Sequence, residues 1–149
     1  RYSKLANINK NTILSYTDKS AKNGTVYTYK IVACKTAGKT SYNAADSNQK
    51  TIMRITSSKV TKTTNKAGKK MTVKWSVNSK AGGYQIQYSV KSNFAKAKTV
   101  KVTGAKKSNV TIAKLAKKKN YVRVRSFKKV GKTTYYSAWS TTKNVVIKK

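Results

Sequence analysis

The stretch VYTYKIVACKTAGKTSYNAA, residues 26–45, aligns without gaps on KNYVRVRSFKKVGKTTYYSA, residues 119–138. The two are anchored on Gly38-Lys39-Thr40 and Gly131-Lys132-Thr133, so the offset, 131 − 38, is 93 residues. Solenoid units repeat every ~20–50 residues, whereas a small β-sandwich domain takes about 100. The repeat therefore reads as the end of one copy followed by a whole second copy, with residues 1–54 a C-terminal part and 55–149 a complete domain.

Within the second copy, apolar residues alternate with polar ones, the period of a strand with one buried face. Met71, Val73 and Trp75 do so in KMTVKW, and Tyr84, Ile86 and Tyr88 in YQIQYS. Val100 with Val102, Val110 with Ile112, and Val122 with Val124 follow, and then the run Tyr135 to Ile147, read as a last strand. Between these runs stand TNKAGKK, NSKAGG, TGAKKSN and KKVGKTT, whose Asn, Gly and Ser are turn formers. Ala and Lys in KSNFAKAKTV and TIAKLAKKKNYV favour helix, but the apolar runs are short, uncapped and flanked by β-branched alternation. The expected architecture is all-β.

The 149 residues hold 35 Lys and Arg against 2 Asp and Glu, a formal charge of +33, with no His, no Pro and a single Cys. Self-repulsion on this scale opposes compaction and draws polyanions in a salt-dependent way. One Cys and no His leave no metal site and no intrachain disulfide, and no cofactor motif is present. No stretch approaches the ~18 apolar residues of a membrane span. RYSKLANINK does not read as a signal peptide, and the chain opens in mid-pattern, compatible with a leader upstream.

Acid–base catalysis needs a group that titrates near neutrality, and only Asp18 and Asp46 carry carboxylates. Both are read as turn residues or salt-bridge partners. Cys34 has no His to activate it and is read as a partly buried structural cysteine. The enzyme class is rejected.

With the strand pattern in place, VKWSV around Trp75, GGYQIQYS and YVRVRSFKKVGKTTYYSAWS together resemble a fibronectin type III domain of the kind found in tandem on bacterial surface proteins. ILSYTDKSAKNGTVYTYKIVACKTAGKTSYNAADS is similar to the fifth-to-seventh-strand part of another such domain, with a Tyr-x-Asp turn at Tyr16 and Asp18. The resemblance implies an immunoglobulin-like antiparallel β-sandwich, the first copy incomplete, and an extracellular or cell-surface location. It also implies a corner tyrosine just before the sixth-strand valines, its hydroxyl bonded to nearby backbone. Tyr27 fits that position in the first copy; the second has Asn120 there, which implies either a weaker corner or a bulge that lets Tyr121 substitute. Tyr27, Tyr29 and Ile31 are expected to face inward and to pack on the second domain, another chain or upstream sequence.

If Val122 and Val124 point into the sandwich, Tyr121, Arg123 and Arg125 point out, beside Gln85 and Gln87 of the neighbouring strand. Lys128, Lys129 and Lys132 continue this row, a candidate contact face for carboxylate, sulfate or phosphate groups. Its alternative is a solvated face that blocks edge pairing. Lys106, Lys107, Lys117, Lys118 and Lys119 are expected in turns. Only Arg1, Arg54, Arg123 and Arg125 are arginines, which favours diffuse point-charge attraction over base readout, so any nucleic acid binding would be nonspecific. The expected partner is an anionic polysaccharide, cell wall or host cell-surface protein or glycan. Two alternatives stand beside it: an extracellular signalling ligand in the manner of irisin-like fibronectin type III hormones, and an inert spacer.

Overall fold

The computed structural model describes residues 1–148 and contains strands and turns but no helix among them. Four strands precede residue 54: β1 (Val26–Tyr29), β2 (Val32–Ala37), β3 (Thr40–Asp46) and β4 (Lys50–Met53). Then come β5 (Val60–Lys66), β6 (Lys70–Trp75), β7 (Gly83–Ser89), β8 (Lys98–Thr103) and β9 (Asn109–Ile112). The chain ends with β10 (Lys119–Val130), β11 (Thr133–Tyr136) and β12 (Lys143–Val146).

β5, β6 and β9 form one antiparallel sheet; β11, β10, β7 and β8 form the other, with β12 on the first half of β10. Side chains from the two inner faces make one core. Met71, Val73 and Trp75 from the first sheet meet Tyr84, Ile86, Val122 and Val124 from the second, all at most 3% exposed. Tyr88 packs against this core from its margin. The Trp75 and Tyr84 rings lie 5.3 Å apart. The Tyr84 hydroxyl accepts from the Asn78 N–H at 2.8 Å and donates to the Ala105 carbonyl at 2.5 Å, so its burial leaves no polar atom stranded. The sheets are tied at one edge by Thr63, whose hydroxyl donates to the Asn144 carbonyl at 3.0 Å.

The run from Tyr135 to Ile147 is not one strand. β11 ends at Tyr136 and β12 starts at Lys143. Between them Ser137 and Ser140 pair with β10 through backbone and hydroxyl together. Ser126 N–H donates to Ser137 Oγ and Val124 N–H to Ser140 Oγ, each at 3.0 Å. Ser137 N–H and Ser140 N–H return to the Ser126 and Val124 carbonyls at 3.0 and 2.8 Å. Serine hydroxyls thus take the place of strand carbonyls, and the backbone is freed from strict alternation.

The 93-residue repeat holds in the pairing register. β1 faces β4 as Val26↔Met53, and 93 residues on Lys119 of β10 faces Val146 of β12. The hairpins close at Ala37↔Thr40 and Val130↔Thr133, over Gly38 and Gly131 at φ +60° and +56°. Glycine first in a two-residue hairpin loop is what a type II′ turn requires.

The inner face of the first copy has no covering sheet among the described residues. Ile31, the counterpart of Val124, is 76% exposed, because no sheet packs over it as β5, β6 and β9 pack over Val124. Tyr27 and Tyr29 are half-buried and stack at 6.0 Å, covered by the loop before β1 rather than by a second sheet. Lys22 N–H donates to the Tyr27 hydroxyl at 2.9 Å, and the Tyr29 hydroxyl donates to Asp18 Oδ2 at 2.8 Å. Cys34 is exposed on β2, not partly buried, for the same lack of a covering layer.

At the second corner, Asn120 does the bonding itself. It is 2% exposed, and its amide nitrogen donates to the Lys118 carbonyl at 2.9 Å and the Ala116 carbonyl at 3.4 Å. The register of β10 runs unbroken through Tyr121, so no bulge lets that tyrosine substitute.

Candidate functional site

The outer face of β10 carries Tyr121, Arg123, Arg125 and Phe127 because their neighbours Val122, Val124 and Ser126 fill the inner one. Arg123 lies opposite Gln87 and Arg125 opposite Gln85 across the β7–β10 ladder. Each arginine donates Nε–H to its glutamine Oε1, at 2.7 Å and 2.9 Å. These two bonds set the planes of the guanidiniums.

With the planes set, aromatic rings stack between and beside them. Arg123 Cζ lies 4.1 Å from the Phe94 ring centre and 4.7 Å from Trp139; Arg125 Cζ lies 4.3 Å from Trp139 and 4.0 Å from Tyr136. The order is Phe94, Arg123, Trp139, Arg125, Tyr136, ring and cation alternating. Phe127 extends it, 6.3 Å from Tyr136, with Lys101 Nζ 4.7 Å over its ring. A cation over a ring face gains from the ring quadrupole, ~0.5–1 kcal/mol where exposed and up to ~2 where desolvated. Burial lowers the Arg125 pKa from its ordinary value; Tyr136 opposes the shift and the like charge of Arg123 adds to it.

Phe127 owes its place to Gly83. A Cβ on Gly83 would stand 2.8 Å from Phe127 Cζ and 2.3 Å from the Val102 carbonyl oxygen. Phe94 sits at φ +59°, in the turn between β7 and β8. Trp139 lies in the serine-bonded segment after β11, which carries its ring over β10.

Of the residues anticipated from sequence, the structure joins Arg123, Arg125, Gln85 and Gln87 in one cluster. Tyr121 is not stacked on an arginine; its ring has Lys119 Nζ at 5.6 Å instead. Lys128 belongs to the opposite face, and its ammonium donates to the Gly24 carbonyl at 3.2 Å. Lys129 and Lys132 are exposed at the hairpin end. Lys119 lies within β10 rather than in the turn before it. Phe94, Tyr136 and Trp139 were missed. The three-residue spacing of Tyr136 and Trp139, odd for a strand, was the available signal.

Each guanidinium spends its two faces on rings and its Nε–H on a glutamine. Its Nη hydrogens make no hydrogen bond among the described residues and can meet an external acceptor at little cost in side-chain entropy. No group of three His, Cys, Asp or Glu residues that could hold a metal occurs among the described residues. Nor is any helix there long and apolar enough to cross a membrane.

No family model matches the sequence, and no curated protein does. Among solved structures it is similar to chicken CNTN1 FN1-FN3 domains, a contactin fragment, with a TM-score of 0.50 at 18% identity. The match covers 90% of this chain and 46% of that one, so the chain spans less than half the length of the fragment it resembles. The fold is that of fibronectin type III domains, an immunoglobulin-like β-sandwich.

Proposed function

We propose that this chain is a non-catalytic binding module, secreted or held at a cell surface, that contacts anionic polymers. Residues 1–54 act in it as the C-terminal part of one fibronectin type III-like domain and 55–149 as a complete one. The observation that carries the reading is the lack of internal compensation for its charge. Against +33, the one ion pair among the described residues is Lys30 Nζ to Asp46 Oδ2 at 2.5 Å. Cations that are not spent inside the fold remain available to polyanions, whose bound counterions are released on contact.

Retention on a heparin column, followed by a salt titration, tests this. Affinity should fall by about 10³-fold or more between low and physiological salt if six or more charges are engaged. Salt-insensitive retention, or none, would refute it.

A second reading, a spacer that holds two domains in fixed relation, draws on the junction. Asn23 Nδ2 donates to Asn78 Oδ1 at 3.1 Å, Thr56 N–H to Asn23 Oδ1 at 2.9 Å, and Asn78 Nδ2 to the Thr56 carbonyl at 2.8 Å. Arg54 reaches the Ala21 carbonyl from the same place. A spacer would bind no polyanion beyond what its net charge alone produces.

A further inference from the structure

Four non-glycine residues hold positive φ among those described: Lys69 at 55°, Phe94 at 59°, Lys96 at 53° and Lys114 at 55°. Side-chain-bearing residues rarely adopt this region, and Asn and Asp suit it better than lysine. Phe94 is accounted for by its contact with Arg123. The three lysines all line two adjoining grooves at one end of the sandwich.

The tighter groove, about 200 Å³, is flanked by Lys91, Lys96, Lys98 and Lys114. The wider one, about 650 Å³, carries Lys69 and Lys70 with the same Lys114. Leu115 and Ala116 line both, so the grooves meet across one ridge. The walls are fixed: Leu115 N–H donates to the Lys69 carbonyl at 3.0 Å, and Ser89 Oγ to the Ala95 carbonyl at 2.9 Å. Asn120 is held to its own carbonyl partners. With Ser89 and Asn120 committed to the scaffold, ammonium groups supply the recognition chemistry. The one ring lining the grooves, Tyr88, packs against the core, so no platform for stacking nucleobases is offered.

We propose that these grooves are a binding site for an anionic polysaccharide. One charged sugar unit lies in the tighter groove among Lys91, Lys96 and Lys98, and the chain crosses Lys114 toward Lys69 and Lys70. Lysines act as compact point charges with freely rotating donors, which suits sulfate or carboxylate groups spaced along a polymer better than one planar oxyanion. Strain kept at three lysines along two adjoining grooves runs from observed backbone outliers to a functional role. The proposal rests on the polyanion reading and places its site at these grooves instead of the arginine stack.

The test titrates the full chain with a short heparin oligosaccharide, with an oligogalacturonate that carries carboxylates alone, and with a single-stranded oligonucleotide. Changing Lys91, Lys96, Lys98 and Lys114 together to Gln should weaken heparin binding about tenfold. Changing Lys10, Lys19, Lys35 and Lys39 to Gln removes the same charge elsewhere and should weaken it by no more than about twofold. Equal losses in the two variants would overturn the groove assignment and leave the polyanion reading intact; no binding of any polyanion would overturn both. Preference for the oligonucleotide over both sugars would overturn the polysaccharide assignment. Oligogalacturonate bound as tightly as heparin would support it with carboxylate sufficient, and heparin bound tighter would support it with sulfate preferred. The double substitution Lys96→Asn and Lys114→Asn suits the left-handed backbone. It should hold or raise the thermal midpoint while weakening heparin binding; a lowered midpoint would show that the lysines serve folding and would overturn the proposal.

Discussion

Position for position, the two copies of the repeat solve the same problem with different chemistry. Arg123 stacks on Phe94 and Trp139; 93 residues earlier Lys30 lies 4.7 Å over the Tyr2 ring and pairs with Asp46, the counterpart of Trp139. The backbone beneath is the same. Ser47 accepts from Ile31 N–H at 2.8 Å and returns its own N–H to the Ile31 carbonyl at 2.9 Å, as Ser140 does with Val124. The serine-bonded segment is thus a shared frame that presents one side chain over the outer face. In the second copy that side chain is an indole between two guanidiniums, and in the first a carboxylate half exposed to water. A stack excludes water and fixes both cations, whereas an exposed ion pair is screened. Rigidity belongs to the second copy.

The comparison breaks most sharply at Trp139. Trp139→Ala should cost about 3 kcal/mol in urea unfolding, since it removes a large ring and two cation–π contacts. The corners come next. Asn120→Ala strips a buried amide from two carbonyls and should cost about 2 kcal/mol, while Tyr27→Phe, which loses one bond to Lys22 N–H, should cost about 1 kcal/mol. Arg123→Lys should cost about 1 kcal/mol because an ammonium cannot stack between rings and reach Gln87 together. The smallest stability change is expected at the ion pair. Asp46→Asn should move the unfolding midpoint by about 0.5 kcal/mol or less, and by nothing measurable in high salt.

A pH titration sharpens the first copy without touching neutral stability. The hydrogen bond to Asp18 raises the Tyr29 phenol from 10.0 to about 12, and the bonds from Ser20 and then Tyr29 hold Asp18 below its usual 3.8. For Tyr29 the contribution is complete below pH 10 and is lost as pH rises toward about 12. For Asp18 it is present above pH 3.8 and is lost as pH falls through the depressed value. Site-resolved titration of the Tyr29 phenol should show it ionising late, and Asp18→Asn should bring it back toward 10. A Tyr29 phenol that still ionises late in that variant would disprove the assignment.

How much of the molecule was legible follows from range. The strand period and the inward valines were readable because each depends on neighbours one or two residues away, and the repeat because it is a match of sequence to sequence that needs no contact. Arg123, Arg125, Gln85 and Gln87 were reachable by the same alternation, since facing strands present alternate residues to one side. Trp139 and Phe94 were not. One rides on a segment whose pairing runs through serine hydroxyls, and the other on a left-handed turn, so neither obeys a period. Lys128 was misplaced because it shares the valines' face and reaches Gly24, a contact 104 residues distant in sequence.

By itself the sequence determined an all-β chain with a 93-residue repeat and an excess of positive charge. Those conclusions rest on local periodicity, on self-similarity and on composition. Tertiary structure alone decided which copy buries its inner face, that Ile31 stands 76% exposed where Val124 is buried, and that a row of cations is held apart by rings. The reason is physical: burial and stacking depend on what a distant segment lays over a strand, and strand alternation says which way a side chain points without saying what it meets.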